Sequence, residues 1–222
     1  MRSEITVATP YGDGRLVSHR ARKPIATLLL SHGAGNGIEA QDLVALADNL
    51  PRHDVTVVRF EQPWRVAGRK IATAPPTLDA GLVAGANRLR VRTPLIVGGR
   101  SAGARSAART AKGLGAVGCL ALAFPLHPPG RPEKSRLSEL RGARVTTLVV
   151  QGERDSMGRP DEFPLSLRDL DVVVVPGADH GFTVRARGPV TQEQALDIIV
   201  ESTLEWIVRE IAWTPRRMKP GR

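Results

Sequence analysis

The sequence predicts an α/β architecture, with a mostly parallel central sheet, an antiparallel N-terminal hairpin and helices on both faces. Three observations carry this. Short continuous apolar runs, such as residues 26–31 and 116–124, suit strands buried on both faces. Between them lie stretches with apolar residues at helical spacing, so strands and helices alternate. Ahead of the alternation, two strand-like segments flank Tyr11-Gly12-Asp13-Gly14, a hairpin signal.

The elements follow in order. Residues 4–8 and 15–19 form the hairpin strands. Residues 26–31 are the first buried strand. A helix with Leu43, Leu46, Ala47 and Leu50 on one stripe is closed by Pro51. Residues 54–60 are the next strand, and residues 61–76, with their prolines, a loop near the strand ends. Thr77 is placed to cap a helix bearing Leu78, Leu82, Ala86 and Leu89. Residues 94–98 form a strand that leads into a small-residue helix. Residues 116–124 are followed by a proline-rich loop, and residues 144–151 and 171–175 are the last strands. The final helix starts at Thr191, with Gln194 completing a capping box, and carries Leu196, Ile199, Val200, Thr203, Ile207 and Ile211. No insertion is long enough for a large cap domain, so residues 61–76 and 125–140 are the expected roof.

The chain has 222 residues, suiting one α/β domain over residues 1–213 and a basic, frayed tail over 214–222. Hydrophobic residues are 41% and aromatic ones 4%, so the core is aliphatic. The single cysteine, Cys119, lies in an apolar run and reads as a small buried hydrophobe. The start of the chain lacks a secretory apolar stretch, no run is long enough to span a membrane, and a cytoplasmic location is expected. Net charge is +10, but the arginines are spread along the chain, which argues against nucleic acid as the partner.

The chemistry centres on Gly99-Arg100-Ser101-Ala102-Gly103. This is G-x-S-x-G between strand and helix, the setting of a nucleophile elbow. A serine hydroxyl is a weak nucleophile and needs a base, and the base needs a carboxylate to orient it. Asp155 follows the strand ending at Gln151, and His180 lies in a glycine-flanked loop after the next strand. The order Ser, acid, His suits the elbow. Glu153, Asp161 and Glu162 are rival acids, and His127 is a rival base or part of the pocket wall. His19 and His53 read as exposed. The oxyanion would be held by the amides of Ala102 and Ala34, with Gly35 as fallback and His32 ordering that loop. Arg100 and Arg105 read first as salt-bridge residues; the sharper expectation is that one of them, or Arg65 or Arg69, meets an anionic group of a substrate. Gly35, Arg100 and His127 are thus candidate substrate contacts. No Cys/His cluster of metal-site spacing occurs, and no cofactor is called for.

On Ser31-His32-Gly33-Ala34-Gly35, residues 98–105, 124–130 and 150–155, and Asp179-His180, the chain resembles the α/β-hydrolase superfamily in its dienelactone-hydrolase-like branch. More narrowly it is similar to the predicted hydrolase family of testis-expressed protein thirty and the hydrolase-like domain of the third subunit of the non-specific-lethal acetyltransferase complex. Ala102 departs from that pattern, where a methionine is more usual. The resemblance implies the fold and the triad Ser101, Asp155 and His180. The expected function is a serine hydrolase acting on a small-molecule ester or thioester. The alternative is a hydrolase-like binding or scaffold module.

Overall fold

In a computed structural model, residues 2–164 and 169–212 are described; the expected tail 214–222 and the side chain of Ile211 lie outside them. The strands are β1 (Arg2–Thr9), β2 (Gly12–His19), β3 (Ala26–Ser31), β4 (Val55–Glu61), β5 (Leu95–Arg100), β6 (Gly118–Leu122), β7 (Thr146–Gly152) and β8 (Leu170–Val175). They form one sheet in the order β1-β2-β4-β3-β5-β6-β7-β8. The pairs β1–β2 and β2–β4 are antiparallel, and every later pair is parallel. The helices are α1 (Gln41–Asn49), α2 (Pro63–Val66), α3 (Pro75–Leu89), α4 (Ala102–Thr110), α5 (Leu137–Arg141) and α6 (Gln192–Trp206).

Strand alternation divides the core in two. Leu28, Leu30, Val57, Ile96 and Leu120 face α1 and α6. Leu29, Val58, Val97, Cys119 and Ala121 face α3 and α4. Cys119 is fully buried, and burial pushes its thiol up to about 12, so it is an inert hydrophobe. The parallel strands aim their carboxyl ends at one edge, where β3, β5, β7 and β8 deliver the loops of the site.

Several expected boundaries move for physical reasons. The hairpin strands are longer than expected and meet at Thr9 opposite Gly12. Gly14 belongs to β2, because the Phe60 ring fills the space a Cβ would need. The helix α3 starts at Pro75 and Pro76 and has no side-chain cap, so Thr77 does not cap it. Proline suits the first turn, where its missing N–H would have no partner. The helix α1 ends at Asn49, ahead of Pro51 as expected, and the chain continues as a 3₁₀ turn, Leu50–His53. The Thr191 capping box forms, with hydroxyl and amide groups exchanged between Thr191 and Gln194. The roof segments each contain one short helix, α2 and α5, and neither builds a large cap.

Candidate active site

The elbow is made by two close backbone approaches. A Cβ on Gly99 or Gly103 would overlap the carbonyl oxygen of Ser31, so β3, β5 and α4 can meet only with glycine there. Ser101 is left at φ 53°, ψ −113°, a strained conformation for a residue with a side chain. Such strain costs about 1–3 kcal/mol and persists where the surroundings enforce it. Its amide donates to Leu122 O at 2.9 Å, which locks the turn to β6.

Two loops, after β7 and β8, bring a hydrogen-bonded chain to this hydroxyl. Ser101 Oγ lies 2.9 Å from His180 Nε2, and His180 Nδ1 lies 2.8 Å from Asp155 Oδ2. A carboxylate only accepts, so Nδ1 carries the proton and Nε2 is free to accept from the serine. Asp155 is buried, and its charge is met by donors. Gln151 Nε2 donates to Oδ2 at 2.9 Å and the Met157 amide to Oδ1 at 2.8 Å. Gln151 is itself held by Phe124 and by the Gly158 carbonyl. This buried glutamine is absent from the sequence expectations; its one signal is a polar residue ending the apolar run of β7. The rival acids are engaged elsewhere. Glu153 accepts the Gly177 amide at 2.6 Å, Glu162 meets His127, and Asp161 is exposed beside Arg159.

The loop after β3 passes over the elbow. Gly33 is so close that an added Cβ would sit 3.3 Å from the Ser101 Cβ. His32 orders this loop. Its Nε2 accepts the Gln62 amide at 3.0 Å, which leaves Nδ1–H to donate to Gly33 O at 2.7 Å. Burial pushes its pKa down, and Trp64 packs on the ring, with centroids 5.5 Å apart. It is thus a neutral structural residue. Gln62, also missed from sequence, spans from Ser31 Oγ to the Leu78 carbonyl. Ala34 and Gly35, which follow Gly33 in this loop, are exposed. Ala102 is the first residue of α4, so its amide has no intrahelical partner and lies next to Ser101.

The remaining expectations need correction. Arg100 does not face a substrate. It is buried, donates from Nη2 to the His180 carbonyl at 2.9 Å, and places Nε 3.3 Å from Asp42 Oδ2. His127 is not a free contact either. Its Nδ1 meets Pro128 O at 2.8 Å and its Nε2 meets Glu162 Oε2 at 2.9 Å, so both ring nitrogens are spent. Arg105 forms a forked pair with Glu139 at 2.6 and 2.8 Å, the salt-bridge role read first. Arg65 lies against Gly37 in the loop after β3, and Arg69 is exposed. His19 is half-buried between Asp48 and Arg59, whereas His53 is exposed as expected. Among the described residues no three His, Cys, Asp or Glu side chains are grouped to hold a metal, and no helix is long and apolar enough to cross a membrane.

Solved structures share this architecture. An α/β serine hydrolase without lid from Xanthomonas campestris is 19% identical, with TM-score 0.71 over 96% of this chain and 97% of that one. Dienelactone hydrolase from Anabaena variabilis is 16% identical, with TM-score 0.72 over 95% and 98%. Est1E from Butyrivibrio proteoclasticus is 14% identical, with TM-score 0.66 over 92% and 99%. The alpha/beta hydrolase domain model matches residues 24–208, most of the chain, and the protein belongs to that family.

Proposed function

We propose that the protein is a serine hydrolase that cleaves a carboxylic ester or thioester through an acyl-enzyme. The observation that carries this is the unbroken chain from Ser101 Oγ through His180 to Asp155, with the serine on a strained elbow. Ser101 Oγ attacks the acyl carbon while its proton passes to His180 Nε2. The carbonyl electron pair moves onto oxygen, held by the amides of Ala102 and Ala34. Collapse breaks the C–O or C–S bond, and the leaving group takes the proton from Nε2. Water then attacks the acyl-enzyme, losing its proton to the same nitrogen. A second collapse releases the acid and returns the proton to Ser101. Asp155 holds the ring in the accepting tautomer and stabilises the imidazolium formed in each half.

Among the described residues, the segments 61–76 and 125–140 hold short helices and no large cap, which supports small or chain-like acyl groups. The lidless neighbour supports the same reading. The test is intact mass after treatment with a fluorophosphonate probe, followed by ester and thioester panels. One adduct on wild type, absent from Ser101→Ala and His180→Ala, is expected. No adduct on folded wild type would sink the reading and favour a binding module.

A further inference from the structure

The elbow strand carries a second device that faces away from the substrate. Arg100 immediately precedes Ser101, yet its side chain turns into the interior, where only 7% of it is exposed. There it meets Asp42, which is fully buried in the first turn of α1. The contact of 3.3 Å is held by charge, because Nε and both carboxylate oxygens lack an aligned hydrogen-bond partner. A buried pair that is poorly hydrogen-bonded contributes little to stability, so its presence asks for another reason. Arg100 Nη2 supplies one: it donates to the backbone carbonyl of His180 at 2.9 Å.

The His180 ring needs such an anchor. Its side chain is 25% exposed, and its polar contacts are the two groups it must exchange a proton with or be oriented by. Its position therefore depends on its backbone. The loop's other bonds are internal or come from the β7 and α6 side: Asp179 Oδ1 accepts the Gly181 and Thr183 amides, and Gln192 holds Phe182 O. Two side chains tie it to β5 and α1. Arg100 takes the His180 carbonyl, and Gln41, also on α1, donates to the Gly181 carbonyl at 3.0 Å. A methyl group on Gly181 would approach Arg100 Nη2 to 3.7 Å, so the loop lies directly on the guanidinium.

Resting on the serine-hydrolase reading, we propose that Arg100 and Asp42 are positioning residues that set the distance between His180 and Ser101. Arg100 is part of the same strand end as the nucleophile, so any shift of the elbow carries the histidine's backbone anchor with it. Asp42 aims the guanidinium and neutralises it, so that an unbalanced cation does not oppose the imidazolium. Burial pushes the Asp42 carboxyl above its ordinary range, and the Arg100 guanidinium beside it opposes that rise.

The test uses the full chain and the fluorophosphonate probe, with inactivation rate followed at several probe concentrations. Wild type is compared with Arg100→Lys, Arg100→Met and the double variant Asp42→Asn/Arg100→Met, which strands no buried charge. Misplacing a reacting group by about 1 Å costs on the order of 10²-fold, so the maximal inactivation rate should fall by about that factor in both Met variants. Arg100→Lys should recover part of it, and the half-saturating probe concentration should stay unchanged. A folded double variant with the wild-type maximal rate would overturn the proposal, and so would a loss confined to the half-saturating concentration. Proton NMR of the Nδ1–H between His180 and Asp155 gives a readout free of turnover. It should be sharp in wild type and broadened in the Met variants. If wild type forms no adduct, the serine-hydrolase reading fails, and this resonance alone decides the positioning: an unchanged line in the folded double variant overturns it.

Discussion

His180 and His127 each sit within 2.9 Å of a carboxylate oxygen, and they do opposite work. His180 has its second nitrogen on a serine hydroxyl, which can donate, so the neutral ring is satisfied with an open proton-accepting position. His127 has its second nitrogen on the carbonyl of Pro128, which can only accept. Both of its nitrogens must then carry protons, and the Pro128 carbonyl, with Glu162 adding to it, pushes its pKa up. The ring ties the loop after β6 to the turn at Pro160–Glu162. His32 completes the series, buried and neutral, with one nitrogen donating and one accepting. On the proposed mechanism, the partner of the second nitrogen, more than the carboxylate, separates the base from the structural residues.

Substitutions can break this comparison. Asp155→Asn should lower the rate of acyl transfer by roughly 10⁴-fold, because the amide no longer enforces the accepting tautomer. His127→Gln should leave the same rate within about twofold, since no step passes through it. Turnover of an ester found active on wild type checks both. Equal losses in the two variants would erase the distinction.

Ser101→Gly should abolish the adduct yet raise stability by about 1 kcal/mol, because glycine adopts the elbow's positive φ without strain. Thermal denaturation of the pair reads this as a rise of a few degrees. A lower midpoint would mean that the serine's contacts outweigh its backbone strain.

The smallest effect sharpens the comparison at His127. Its folded pKa lies above its ordinary 6.5, so its stabilisation is fully present below that value and is lost as pH rises through the folded pKa. Glu162 is shifted down from its ordinary 4.5, chiefly by the Arg159 amide, so its contribution holds above that value and is lost as pH falls through its folded pKa. The midpoint difference between wild type and His127→Gln should therefore be largest between those ordinary values and shrink in alkali. The partial exposure of Glu162 limits the effect to about 1 kcal/mol or less. A difference that grows into alkali would contradict the raised pKa of His127.

The sequence alone determined the strands, the layering and the three residues of the hydrogen-bonded chain. Apolar runs such as residues 26–31 have no other stable place than a sheet covered on both faces, and Ser101, Asp155 and His180 each stand just past a strand, where loops converge. Local chemistry was enough for the Thr191 capping box and for the glycines of the elbow, since their partners lie within a few residues or are set by backbone contact. Tertiary structure decided the roles of the buried polar groups. Arg100 read first as a surface or sheet-edge salt bridge and forms a buried one instead, because its partners, Asp42 and the His180 carbonyl, lie far away in sequence. Gln62 and Gln151 escaped notice for the same reason, and His127 could not be told from a base without seeing what faced its second nitrogen. A buried polar side chain takes its function from the group across from it, and that group is chosen by the fold rather than by the neighbouring residues.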